Sequence, residues 1–171
     1  PAHLPLVTTI RPWFMALFHL LDNLQRDPAI VEALASLAHD SIAFANLPSS
    51  ARAALAAASI SREGGPVLVV TSRADRAESL AGAIAEYLPA RPVLLWPAPE
   101  ALPYEQLPFD LQTATERAAI LDALANSATS STSPVTVTPA HGLLQLVMPR
   151  AELKATTRTI RVGGRLAQDD F

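Results

Sequence analysis

The sequence predicts an α/β domain in which helices are layered on a mostly parallel sheet. Val67–Thr71 is a continuous run of valine and leucine ending in threonine, as expected for a strand covered on both faces. Two further β-like runs, Val93–Trp96 and Val135–Thr138, follow at intervals that hold helical periodicity between them. This alternation is typical of parallel sheets, because parallel strands need long crossover connections that are usually helical.

Composition suits a folded chain and excludes several kinds of site. Half of the 171 residues are hydrophobic and 17% are charged, which allows a packed core. The net charge of −3 argues against a nucleic-acid surface that covers the whole chain. Because the chain has no cysteine, it has no disulfide, no thiolate metal site and no cysteine nucleophile, and it is compatible with a reducing cytoplasm.

The N-terminal part is expected to contribute a helix. Trp13–Leu21 is apolar but shorter than the roughly 20 residues that span a bilayer. It lacks the lysine-rich start and the small-residue cleavage site of a signal peptide, so we expect a buried or partner-facing helix and no membrane association. A second helix should begin at Asp27 and Pro28, an N-cap residue followed by proline at the first helical position.

Two segments before the first apolar run have distinct signals. Ser41–Ala45 is compatible with a short buried strand, which would be the first of the sheet. The alanine-rich run Ala51–Ala58 predicts a helix. Gly64, Gly65 and Pro66 then break the chain before Val67.

Two later helices have capping-box signatures at their starts. Ser72-x-x-Asp75 predicts the start of a helix whose apolar side carries Ala77, Leu80, Ala81, Ile84 and Leu88. Thr113-x-x-Glu116 predicts the start of the helix Ala114–Ala125. Both signatures place a side-chain acceptor at the N-cap, where unpaired backbone amides need one.

The last part of the chain predicts a change of structure. His141–Val147 is expected to form a short helix that Pro149 ends. Thr156–Val162 alternates polar and apolar residues, which indicates a half-buried strand and a boundary near Leu153. We therefore divide the chain into an N-terminal helical extension at 1–26, a first subdomain at 27–153, and the start of a second, small α+β subdomain at 154–171.

The segment after the expected first strand is where such a fold would bind phosphate, at a helix N-terminus. It consists of Asn46, Leu47, Pro48, Ser49, Ser50, Ala51 and Arg52. A working P-loop needs glycines for its backbone amides to wrap the phosphates, and a lysine for the β- and γ-phosphates. This segment has neither, and its only cation, Arg52, does not replace a P-loop lysine. We therefore predict no nucleotide hydrolysis here.

Other residues with chemical potential form no recognisable site. The four histidines are scattered and have no acidic partners at metal-ligand spacing: His3, His19, His39 and His141. Glu100 and Glu105 lie in a proline-rich loop, where solvated carboxylates are commoner than an acid–base pair. Gly163 and Gly164 predict a hairpin turn, whose flanking arginines, Arg161 and Arg165, are solvated or anchor a partner.

The segment Trp96–Arg117 is the most distinctive part of the sequence. It contains four prolines and three of the nine aromatic residues. Ordinary connectors are roughly two to six residues long and need no aromatic side chains. We therefore expect an ordered loop that buries four apolar side chains against the sheet edge and the adjacent helix: Trp96, Leu102, Tyr104 and Phe109.

This segment resembles the N-terminal, UvrB-like module of the bacterial transcription-repair coupling factor family. The family's P-x-x-E-x-L-P-Y-E hallmark corresponds to Pro97–Glu105, and the helix start that follows it corresponds to Thr113–Arg117. Asn46–Arg52 is similar to the family's G-L-P-G-S-A-R at a vestigial Walker A position, with Asn46 and Ser49 in place of its glycines. Further matches make the resemblance extend over 34–171: Pro66–Thr71, Leu143–Pro149 and Ile160–Leu166. Ser127–Ser133 departs from the family as a local insertion.

The resemblance implies a degenerate RecA-like, P-loop helicase fold for the first subdomain, similar to domain 1a of UvrB. It implies a cytoplasmic full-length protein that translocates on double-stranded DNA using ATP, releases RNA polymerase stalled at damage, and recruits UvrA for nucleotide excision repair. ATP and Mg²⁺ would belong to motor domains outside this chain, so no cofactor, metal or catalytic residue is expected here. UvrA would bind the second subdomain, where the family's arginine after the glycine turn corresponds to Arg165.

Two alternatives stay open from the sequence. One is a UvrB-type helicase domain or another P-loop ATPase domain that binds nucleotide, and the other is an unrelated nucleotide-binding α/β enzyme. The segment 46–52 discriminates between them, because an active UvrB-type domain would have glycines followed by G-K-T.

Overall fold

A computed structural model describes residues 17–37, 41–98, 110–127, 133–144, 146–158 and 162–163. These residues form six α-helices, a 3-10 helix at Ala140–Leu143 and three strands. The helices are α1 (Phe18–Leu24), α2 (Pro28–Ser36), α3 (Ser49–Arg62), α4 (Ala74–Tyr87), α5 (Leu111–Ser127) and α6 (Arg150–Thr156). The strands are β1 (Val67–Thr71), β2 (Val93–Leu95) and β3 (Val135–Pro139).

The three strands form one parallel sheet in the order β1-β3-β2. β3 lies in the centre, with Val137 aligned to Val69 of β1 and to Leu95 of β2. Every residue of β3 is buried, as expected for a strand that has neighbours on both sides. The predicted α/β class with a parallel sheet is confirmed at this level.

Helices cover the two faces of the sheet unequally. On one face, α4 packs its buried residues against Val135 and Val137, and β1 adds Val67 and Val69 to the same cluster. On the other face, α5 packs around Ile120 against Leu94 of β2 and against Trp96, which follows β2. The sheet is therefore the middle layer of an α/β/α arrangement.

A second cluster lies outside the sheet, where α1, α2 and α3 pack on the far side of α4. Leu21 of α1 and Leu34 of α2 are buried there against the alanine face of α3 and against Tyr87. Of the buried or partner-facing helix expected at Trp13–Leu21, the structure describes a helix from Phe18 in which Leu21 is buried and Leu20 is 47% exposed, while residues 1–16 lie outside the described part. No helix among the described residues has both the length and the apolarity that crossing a membrane requires.

Two strand predictions need correction. Ser41–Ala45 forms no strand. Only Ile42 of the five residues is half-buried and Phe44 is 42% exposed, so the segment buries too little apolar surface to fix a ladder. Val67–Thr71 is a strand, but it is covered on one face only. Leu68 and Val70 are 54% and 49% exposed, since β1 is the last strand of the described sheet and α5 lies over the β2 side.

The helix starts are partly as predicted. Asp27 caps α2, accepting hydrogen bonds from the amides of Ala29 and Ile30 at 2.9 and 3.2 Å, and Pro28 occupies the first turn. The capping box at Ser72 is wrong, because the N-cap of α4 is Arg73, which has an extended backbone and makes no side-chain cap bond.

The predicted box at Thr113 is also wrong. The helix begins earlier, at Leu111, and Asp110 caps it by accepting from the amide of Gln112 at 3.0 Å and from the hydroxyl of Thr113. Thr113 therefore lies inside the first turn. Glu116 instead accepts from the side-chain amide of Gln112 at 3.0 Å.

The chain after β3 also differs from expectation. The helix predicted at His141–Val147 is reduced to the 3-10 helix, because the leucines that follow are exposed and provide no packing to extend it. Pro149 precedes α6 rather than ending a helix. Thr156 is helical, so the expected strand does not begin there, and 159–161 lie outside the described residues. α6 includes Leu153, and the division of the chain into parts stays a prediction.

Candidate functional site

The segment that resembles a Walker A loop has a glycine-type backbone at its first residue. Asn46 has φ = 58°, in the left-handed region that glycine favours and that asparagine tolerates best among the other residues. Pro48 then has an extended backbone, and α3 begins at Ser49. The left-handed backbone of Asn46 and the extended Pro48 thus lead the chain from the loop into α3 without any glycine.

The backbone amides of this segment are poorly suited to wrapping phosphates. Pro48 has no amide hydrogen, so the loop is interrupted where a P-loop offers consecutive donors. The amides of Ala51 and Arg52 already donate to the carbonyl of Pro48, at 3.0 and 3.3 Å. No lysine lies in the segment, and the side chain of Arg52 is exposed. The arrangement is a helix start with two exposed serines and one cation.

The position of the segment relative to the sheet differs from that of a P-loop. A P-loop follows a strand, so that the phosphates lie beyond the carboxyl edge of the sheet. Here Ser41–Ala45 forms no strand, so Asn46–Arg52 does not follow a strand of the described sheet. α3 and the short turn after it connect this segment to β1 instead.

Arg91 fixes the opposite end of α3 to the sheet. Its guanidinium donates to the carbonyls of Ile60 and Glu63 at 2.7 and 2.8 Å, and it also donates to the carbonyl of Gly65. Its Nε donates to the carbonyl of Ser133, at 2.8 Å. Arg91 thereby joins the end of α3, the turn before β1 and the residue pair before β3. Burial lowers the pKa of Arg91, but a guanidinium remains charged at neutral pH.

A second arginine organises the carboxyl edge of the sheet. Arg117 of α5 lies over the ring of Trp96, with its guanidinium carbon 5.0 Å from the ring centroid. Its Nε and Nη2 donate to the carbonyl of Pro97 at 3.0 and 2.9 Å, and Nη2 also approaches the carbonyl of Gly142 at 3.4 Å. Burial lowers the pKa of this guanidinium too. Because these bonds go to backbone carbonyls, Arg117 acts as a structural clasp between β2, β3 and α5.

Gly142 completes this clasp. The indole nitrogen of Trp96 donates to its carbonyl at 3.1 Å. A Cβ at this position would lie 2.7 Å from the hydroxyl of Thr138 and 3.3 Å from Cδ1 of Trp96. The close approach therefore requires glycine. We name Trp96, Arg117 and Gly142 the carboxyl-edge clasp.

The structure describes only some of the residues that the sequence predicted for the site. Asn46–Arg52 is described throughout, and Trp96 is buried as expected. The other predicted residues lie outside the described ranges: His3, His39, Glu100, Leu102, Tyr104, Glu105, Phe109, Arg161, Gly164 and Arg165. The same holds for 128–132 of the low-complexity stretch. Val162 and Gly163 form a turn in which Gly163 has φ = 84°, as the predicted glycine turn requires.

The two described histidines do not form a metal site. His19 and His141 are both exposed, on α1 and on the 3-10 helix. Within the described ranges no three or more histidine or acidic side chains are grouped in a way that could hold a metal ion.

Sequence reasoning missed the structural roles of Arg91, Arg117 and Gly142. Arg117 stood in the quoted helix start, but nothing in its spacing indicated that it would bind the carbonyl of Pro97. Gly142, three residues after the proline that ends the β-like run, was the one local signal of a close backbone approach. For Arg91, the only signal in the sequence was its position just before Pro92 and β2.

Comparison with protein-family models, with curated proteins and with solved structures finds no match to this chain. The resemblance to the coupling-factor family thus depends on the quoted motifs, and the fold class on the geometry described above.

Proposed function

We propose that the chain is the N-terminal, non-catalytic interaction module of a transcription-repair coupling factor. In this proposal its first subdomain has a degenerate RecA-like fold, and its second contributes to the surface that binds UvrA. RNA polymerase, double-stranded DNA, ATP and Mg²⁺ are bound by other parts of the full-length protein. The family motifs, found in order along the chain, are the basis of the proposal.

The backbone conformation of Asn46 is the main structural observation behind the proposal of a vestigial, non-catalytic loop. At the position where the family has its first glycine, Asn46 has a glycine-type backbone, with φ = 58°. The following residues begin a helix, as they do after a Walker A loop. In this proposal the segment is a vestigial phosphate-binding loop, in which Pro48 removes a donor and the lysine is missing.

The ends of the distinctive proline-rich segment support the expectation of a packed loop. Trp96 and Pro97 begin the segment, and Arg117 ends it. Arg117 binds the carbonyl of Pro97 and lies over the ring of Trp96. These contacts hold the start of the segment against α5, and residues 99–109 between them lie outside the described part. This anchoring agrees with a segment that is recognisable as a family motif.

The alternative is a domain that binds nucleotide, either as a UvrB-type helicase or as another P-loop ATPase. Such a domain needs a cation at the β- and γ-phosphates and successive free amides. The segment 46–52 offers Arg52 as its only cation, and two of its amides are already bonded to the carbonyl of Pro48. The interaction module is therefore the preferred proposal.

Binding of UvrA tests the partner assignment. Because the proposal places this chain within a longer protein, the titration uses that protein extending through the second subdomain. An interface arginine beside a rigid turn can contribute about 2 kcal/mol or more, so Arg165→Ala should weaken binding at least about 30-fold. Arg62→Ala, at the exposed end of α3, is the matched control and should bind as wild type does. Equal affinity of wild type and Arg165→Ala would remove Arg165 from the site, and no binding by wild type would refute the partner assignment.

A further inference from the structure

We draw no further inference here: the strongest candidate, the half-exposed apolar face of the edge strand β1 formed by Leu68 and Val70, carries nothing because no feature of the described structure shows what covers it.

Discussion

The guanidinium of Arg117 lies over the indole ring of Trp96 while both side chains bond to the carbonyl of Gly142, at 3.4 and 3.1 Å. Three elements meet through these contacts: the end of β2, the turn after β3 and the second turn of α5. The carboxyl edge of a parallel sheet is where open α/β folds place their ligands. In this chain, protein groups that bind one another lie at the carboxyl ends of β2 and β3.

Replacing Arg117 should test the strength of the carboxyl-edge clasp. In Arg117→Met the apolar stem is kept, but the carbonyl of Pro97 loses both donors and the contact with the Trp96 ring loses its charge. Leaving a part-buried acceptor unpaired predicts a loss of about 2 kcal/mol in the free energy of unfolding, measured by urea denaturation. Arg117→Lys should lose nearly as much, because an ammonium lacks the planar fork. The control is Arg76→Met on α4, whose side chain is exposed, and a loss no larger than this control's would contradict the clasp.

Gly142 should tolerate no side chain. The methyl of Gly142→Ala would lie 2.7 Å from the Thr138 hydroxyl and against Trp96, both of which are buried. Overpacking of this kind predicts a destabilisation of about 1–3 kcal/mol in thermal or urea unfolding. Gly64→Ala is the matched control, since a Cβ there meets nothing within 4 Å. It should be neutral or slightly stabilising, because alanine restricts the unfolded chain. Similar stabilities for the two variants would show that the backbone around Gly142 relaxes freely.

The fold class and the core faces could be predicted from the sequence, because they depend on hydrophobic periodicity. Ala77, Ala81 and Ile84 are buried on the predicted side of α4. The errors arose where tertiary packing determines the exposure of a side chain or the first residue of a helix. The sequence around Leu68 is typical of a buried strand. Leu68 is nevertheless exposed, because β1 is the last strand of the described sheet and α5 packs on the β2 side. Likewise Asp110 and Thr113 are both suitable caps, and only the point at which the chain leaves the loop selects between them.

For the candidate site, the missing residues could be predicted from the sequence, but the long-range contacts of the arginines could not. The missing glycines and lysine of 46–52 are read directly from the sequence, and the structure adds the left-handed backbone of Asn46. The carbonyl-binding role of Arg91 could not be predicted, because its partners Ile60, Gly65 and Ser133 are far apart in sequence. Backbone carbonyls also have no residue-type signature. Such long-range clasps therefore become visible only once the elements have been assembled.

Asp110 should make the stability of the chain depend on pH in the acidic range. The hydrogen bond from the Thr113 hydroxyl, followed by those from backbone amides, lowers the pKa of this carboxyl below its ordinary value. The unfolded chain then binds more protons than the folded one, so the stabilisation is complete above about pH 4, the ordinary range of an aspartate, and is lost as pH falls through the lowered pKa. Urea unfolding between pH 2 and 6 measures it. In Asp110→Asn, which still caps but does not titrate, this part of the pH dependence should vanish.

The outcome for Asp110→Ala separates capping from titration. Alanine removes the acceptor for the Gln112 amide at every pH, so this variant should be less stable than Asp110→Asn throughout the range. A pH profile of Asp110→Asn that matched the wild type would mean that other carboxyl groups determine the acid sensitivity.

The last prediction is that this chain does not bind ATP. The segment 46–52 has no lysine for the β- and γ-phosphates, Pro48 supplies no amide, and the amides of Ala51 and Arg52 are bonded within the helix start. Titration of a fluorescent ATP analogue in the presence of Mg²⁺ should therefore show no saturable binding at micromolar concentrations. Restoring the two family glycines alone, by Asn46→Gly and Ser49→Gly, should not create binding, because the lysine and the donor at Pro48 would still be missing. Micromolar affinity in wild type that is abolished by Arg52→Ala, but retained in Arg62→Ala, would identify Arg52 as a phosphate ligand. The P-loop ATPase alternative would then replace the non-catalytic one.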